Sequence, residues 1–119
     1  MSAILETGRG KITYSDDYIA TIAGMATTEC YGVVGMASRK VTDGFSELLG
    51  RDNLKRGVKI ISDQTNAVRI DLYIVVQYGL TIGAASTNII DTVRYQVEKT
   101  TGLVVRDVNI VVSGIRVDK

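Results

Sequence analysis

The most regular pattern in the chain lies at its centre. Val68, Ile70, Leu72, Ile74, Val76 and Tyr78 alternate with Arg69, Asp71, Tyr73, Val75 and Gln77. A period of two puts the two sets on opposite faces of a pleated strand, so the segment reads as a half-buried strand. Tyr73 and Val75 interrupt the polar set, which implies partial cover on that face. Residues 57–62 read as the strand before it. The turn at 63–66 is too short for a crossover, so the pair reads as an antiparallel hairpin.

Two other stretches carry a helical period. Ile19, Ile22, Ala23, Ala26 and Cys30 recur at spacings of three and four, which builds one apolar stripe of a helix. Ser15 is placed to cap its exposed N–H groups, and Asp16 and Asp17 suit the positive end of its dipole. Tyr31 and Gly32 are expected to end it. A second helix is expected over 83–100, its stripe made of Ile82, Ile89, Val93 and Val97 with Ala85 and Ile90 in support. Gly102 fits a left-handed cap at its end. Short strands are expected at 11–14 and 33–37. A last strand is expected over 103–117, with Val108, Ile110 and Val112 on one face and Asn109, Val111 and Ser113 on the other.

Residues 1–9 show no periodicity and read as a flexible arm, leaving one domain over 10–119. Residues 38–56 are the least regular part, with a short helix expected from Asp43. The order of elements predicts an α+β fold: a two-layer sandwich in which a mixed, mostly antiparallel sheet carries two main helices on one face.

Composition narrows the function. A chain of 119 residues with 45% hydrophobic and 23% charged side chains suits one ordinary globular domain. The formal net charge of +1 supplies no global field toward nucleic acid or an anionic membrane. The sequence has no His, Trp or Pro, and Cys30 is its one cysteine. General acid–base chemistry therefore lacks its usual residue, and common zinc sites and internal disulfides cannot form within one chain. No catalytic residue, metal site or cofactor is expected. Residues 1–10 lack the apolar stretch of a signal peptide, which points to the cytoplasm. No apolar run is long enough to cross a bilayer, so direct membrane insertion is not expected.

Few motifs carry chemistry. Gly32-Val33-Val34-Gly35 matches the GxxG of KH RNA-binding domains, but its central residues are apolar and no second helix follows directly. A helix end entering a strand explains it better, and no nucleic acid partner is expected. Gly8-Arg9-Gly10 lacks the rest of a phosphate loop. Thr27 and Thr28 have no base beside them. The best internal candidate for a partner-contact segment is basic and partly apolar: Lys40, Phe45, Leu48, Arg51, Lys55 and Arg56. Residues 38–56 hold five basic and three acidic side chains. The plainer alternative is a solvated loop with one amphipathic turn packed on the domain.

Taken in order, several pieces resemble the alkaline-shock, or envelope-stress-response, family of Gram-positive bacteria. They are Gly10-Lys11-Ile12, residues 19–23, Tyr31-Gly32-Val33 with Met36, and residues 57–60. Residues 71–79, Thr101-Gly102-Leu103-Val104-Val105 and Val108-Asn109-Ile110 complete the set. The compact form looks most like the short housekeeping members found beside a fatty-acid kinase gene. The resemblance implies a non-enzymatic interaction protein of cell-envelope stress response or homeostasis. Its implied partners are proteins, through self-association and through a membrane-anchored partner that would bring it to the membrane. An RNA-binding module and an acyl-chain or small-molecule sensor are the alternatives.

Overall fold

The computed structural model describes residues 2–39 and 49–117. The strands are β1 (Ser2–Thr7), β2 (Gly10–Ser15), β3 (Val33–Met36), β4 (Val58–Gln64), β5 (Ala67–Gln77) and β6 (Val104–Arg116). The helices are α1 (Asp16–Thr28) and α2 (Ile82–Thr101), and a 3₁₀ segment spans Arg51–Gly57. The expected α+β architecture is present.

The long alternating segment becomes β5, the spine of the sheet. One edge pairs antiparallel with β4 through Ala67–Leu72 and with β3 through Ile74–Val76. The other edge pairs in parallel with β6 from Ala67↔Val104 to Gln77↔Arg116. A parallel neighbour requires a crossover, and α2 is that crossover. The helices pack against each other and against one face of the sheet. That face presents Val68, Ile70, Leu72 and Ile74, all fully buried, against Ile19, Ala23, Ile89, Val93 and Val97. On the opposite face Tyr73 is half-buried and Val75 is 6% exposed, in line with the cover expected there.

Local signals act as read. The Ser15 hydroxyl accepts the Tyr18 N–H at 3.2 Å and caps α1. Gly102 adopts φ +78° and its N–H closes α2 on the Glu98 carbonyl. The β4–β5 turn is tighter than expected, just Thr65 and Asn66, with Asn66 at φ 72°. A left-handed residue matches the twist of a two-residue hairpin, and Asn tolerates it better than other side chains.

Three expectations are corrected. Residues 1–9 hold β1, which pairs with β2 across a turn at Gly8-Arg9. The reading as an arm missed this because the strand buries just Ala3 fully, with Leu5 packed beside the core, too short a run to show a period. Helix α1 stops at Thr28, before Tyr31, and Cys30 is buried beyond its end. The alternation of β6 does not run through: the register shifts at Ser113, and Val112 is 46% exposed although it pairs with buried Ile74. The irregular segment contains the 3₁₀ turn, whose Leu54 packs on Gly24 of α1. The short helix expected from Asp43 falls mostly outside the described residues.

Asn66 ties three elements together. Its N–H donates to the Ile4 carbonyl (2.9 Å), its Oδ1 accepts the Glu6 N–H (2.7 Å), and its carbonyl accepts the Val104 N–H (2.7 Å). Tyr14 anchors the same hairpin through its hydroxyl, which donates to the Thr101 carbonyl at 2.8 Å. Asn66→Gly should keep the turn but lose the Glu6 bond, costing about 1 kcal/mol. Asn66→Ala should cost roughly 1–2 kcal/mol more, because Ala is strained at this φ. Urea unfolding of both variants checks the order. Leu72→Ala should cost about 2–5 kcal/mol at a fully buried site, read as a lower denaturation midpoint with an unchanged slope.

Candidate interaction site

Of the residues singled out from sequence, the side chains of Lys55 and Arg56 are described. Lys40, Phe45 and Leu48 lie outside the described residues, and of Arg51 only the backbone is described, at the start of the 3₁₀ segment. Lys55 leaves that segment toward the N-terminus of α1, where its Nζ lies 3.2 Å from Asp17 Oδ2. Both partners are largely exposed, and such a pair contributes little to stability. Arg56 is exposed, and its carbonyl accepts the Arg39 N–H at 3.2 Å. The neighbouring apolar residues Leu49 and Leu54 turn inward and join the core. The described part of the segment thus presents its basic side chains outward over a packed apolar side.

A different site forms at the far end of β5. There the chain leaves the sheet through Tyr78 and Gly79, turns at Leu80 and enters α2. The loop after α1 comes alongside: the Gln77 N–H donates to the Gly32 carbonyl at 2.9 Å, and the Tyr78 N–H to the Arg116 carbonyl at 2.9 Å. Between these walls lies a cleft of about 700 Å³, lined by Tyr31, Gly32, Tyr78, Leu80, Thr81 and Ala84 among others. Its rim is aromatic. Tyr31 is 86% exposed and Tyr78 67% exposed. Large exposed tyrosines combine apolar area with a hydroxyl and are enriched at protein interfaces.

The shape of the cleft depends on Gly32. Its φ is +85°, and a Cβ there would lie 2.5 Å from Leu80 Cδ1. A larger residue would strain the backbone and push Leu80 into the opening. The start of α2 faces the same space without a side-chain cap from Thr81 and without an acidic residue in its first turn. The Ala84 and Ala85 N–H groups both return to the Thr81 carbonyl.

Sequence reading missed this cleft. Tyr31, Gly32 and Tyr78 each carried a local meaning, as helix or strand endings. Their approach depends on β3 pairing beside the end of β5, which no local pattern specifies. The GxxG match is accounted for by the same geometry. Gly32 lies in the loop after α1 and Gly35 in β3, not between two helices.

Cys30 is the one described group whose acidity is clearly shifted. Burial pushes its thiol pKa up, a hydrogen bond with Thr92 acts against this, and the charge of Glu29 adds to it. A protonated, buried thiol is a poor nucleophile. Among the described residues no group of three or more Cys, Asp and Glu could hold a metal ion, and no helix is long and apolar enough to cross a membrane. The raised thiol has a defined consequence. Below the ordinary thiol value of 9.0 both folded and unfolded chains keep the proton; above it the unfolded chain releases the proton first. Stability is therefore lost as pH rises through that region. The stability gap between the native protein and Cys30→Ala should narrow above that pH, measured by urea unfolding at a series of pH values.

Residues 5–117 match the alkaline-shock protein 23 family, described as having a cell envelope-related function. The chain is 43% identical over 118 residues to the uncharacterized protein YloU of Bacillus subtilis (strain 168), covering 98% of each chain. It is 38% identical over 118 residues to the uncharacterized protein Spy1614 of Streptococcus pyogenes, covering 98% of this chain and 97% of that protein. A second Bacillus subtilis protein, the uncharacterized YqhY, is 32% identical over 114 residues, covering 95% and 82%. No solved structure matches the chain.

Proposed function

Because this chain belongs to the alkaline-shock protein 23 family, whose described function is cell envelope-related, we propose that it works there as a non-enzymatic interaction module. It holds a segment of a partner protein in the cleft between Tyr31 and Tyr78. The observation that carries this reading is the aromatic rim of that cleft, two tyrosines exposed at 86% and 67% over walls fixed by main-chain bonds. Rigid aromatic anchors around a preformed opening give contact area at little cost in ordering. The partner segment is apolar where it meets Leu80 and Ala84. A carboxylate on it would be favoured near the start of α2, where the helix dipole is positive.

The non-enzymatic reading is supported by Cys30, which is buried and is not among the residues that line the cleft. The cleft itself is lined by tyrosine, glycine, leucine, threonine and alanine, together with Gln77, so its lining holds side chains for contact and no carboxylate, amine or thiol. An acyl-chain ligand would compete for the same opening and is an outcome of the same test. Proteins captured by the tagged chain at native expression level should be compared with those captured by a Tyr31→Ala/Tyr78→Ala double variant. A specific protein whose capture falls on the order of tenfold or more, with the fold unchanged by circular dichroism, supports the reading. Identical capture by both proteins, or loss of a bound fatty acid in place of a protein, overturns it.

A further inference from the structure

The outer edge of β6 carries a pattern that the cleft does not explain. This strand is 13 residues long, pairs with β5 on one side, and among the described residues has no strand on the other. Every second residue of such an edge turns an N–H and a C=O toward solvent, which makes it a template for a further strand. Edges are usually protected by proline, by covering loops, by short length or by dense charge. Here the stretch from Asp107 to Arg116 is charged only at its two ends. Between them lie Val108, Ile110, Val111, Val112 and Ile115.

Two register shifts set which faces these residues occupy. Arg106 is extra between Val68↔Val105 and Arg69↔Asp107, and Ser113 is extra between Ile74↔Val112 and Val75↔Gly114. Residues paired across a parallel ladder share a face. Val108, Ile110, Val112 and Ile115 therefore lie on the helix side, and Asp107, Asn109, Val111, Gly114 and Arg116 on the other. The helix side should be covered, yet Val112 is 46% and Ile115 57% exposed. The chain's own helices leave that part of the layer bare.

We infer that β6 pairs antiparallel with β6 of a second copy of this chain, about a twofold axis through Val111. This deepens the interaction-module reading by naming one partner, and it uses a surface separate from the cleft. The evidence is that the strand is self-complementary in this register. With Ser113 bulged in both copies, Val111 faces Val111, Ile110 faces Val112, Val108 faces Ile115, and Asp107 faces Arg116. Every pair matches in side of the sheet. The charged ends meet with opposite sign twice, once at each end of the ladder. Moving the axis to Ile110 or Val112 takes Arg116 away from Asp107 and loses both pairs. Asp107 already lies 3.5 Å from Arg69 of β5, which holds its carboxylate on this face. Opposite charges directly across an antiparallel pair stabilise it and like charges oppose it. A twofold interface is closed, so pairing stops at two copies and joins the two sheets into one. The helix layer of the second copy then stands near Val112 and Ile115.

The test uses the full chain in sedimentation analysis over a range of concentrations. Asp107→Arg alone and Arg116→Asp alone should each weaken self-association about tenfold, since each sets like charges opposite one another at both ends. An equal mixture of the two should associate as a heterodimer, because all four charges are then matched, and the double variant should recover the native behaviour. That recovery separates pairing from misfolding. Val111→Cys should form a disulfide-linked dimer under mild oxidation, whereas Val104→Cys should not. A native chain that stays monomeric throughout, or a dimer indifferent to the charge exchange and not linked through position 111, overturns the inference. The Tyr31→Ala/Tyr78→Ala variant leaves β6 intact and should still dimerise. Loss of the β6 pairing and loss of the cleft reading are thus scored separately.

Discussion

The structure depends on β5 being bonded along both edges. It pairs with β4 and β3 on one side and with β6 on the other, so its own backbone groups are satisfied within the sheet. That satisfaction allows Val68, Ile70, Leu72 and Ile74 to be withdrawn from water beneath two helices without stranding polar main chain. Burying apolar side chains of this size is worth roughly 1.5–3 kcal/mol each, and they form one continuous line. Every other element is placed by reference to it. Helix α1 packs over β3 and β4, α2 crosses to reach β6, and the N-terminal hairpin hangs from the β4–β5 turn through Asn66.

The same strand also locates the interaction cleft. Where β5 ends, at Gln77 and Tyr78, its hydrogen bonds pass to the loop after α1 and to the end of β6. The opening lies where the sheet stops and the helix layer has only begun. Such a place can expose tyrosines at little cost, because nothing in the core depends on them. Gly32 then sets how closely the two walls approach.

The sequence revealed most where one interaction dominates a whole segment. The alternation along β5, the Ser15 cap and the Gly102 cap are local or strictly periodic, and each was legible. The irregularities were not. Nothing in the string of valines from Val104 onward signals that Ser113 would be squeezed out of register, since a bulge comes from fitting a strand to its neighbour's twist. The strand Ser2–Thr7 was hidden for a different reason: its inward face is just Ala3 and Leu5, too few positions to establish a period. For the site, the basic side chains of Lys55 and Arg56 were visible as a run of charge. Tyr31 and Tyr78 were not visible as a pair, because they lie far apart in sequence and meet only through β3 and β5.

The crossover through α2 has a consequence for the order in which the chain folds. The β4–β5 hairpin closes across two residues, whereas β6 meets β5 only after the whole of α2 has formed and turned back. Loop closure over such a distance is paid in chain entropy before any contact rewards it. The third partner of β5 faces a similar distance, since Met36 of β3 pairs with Ile74 and Val33 with Val76. Both β3 and β6 therefore wait on a long closure, and the β4–β5 hairpin is the part of the sheet that local contacts alone can form.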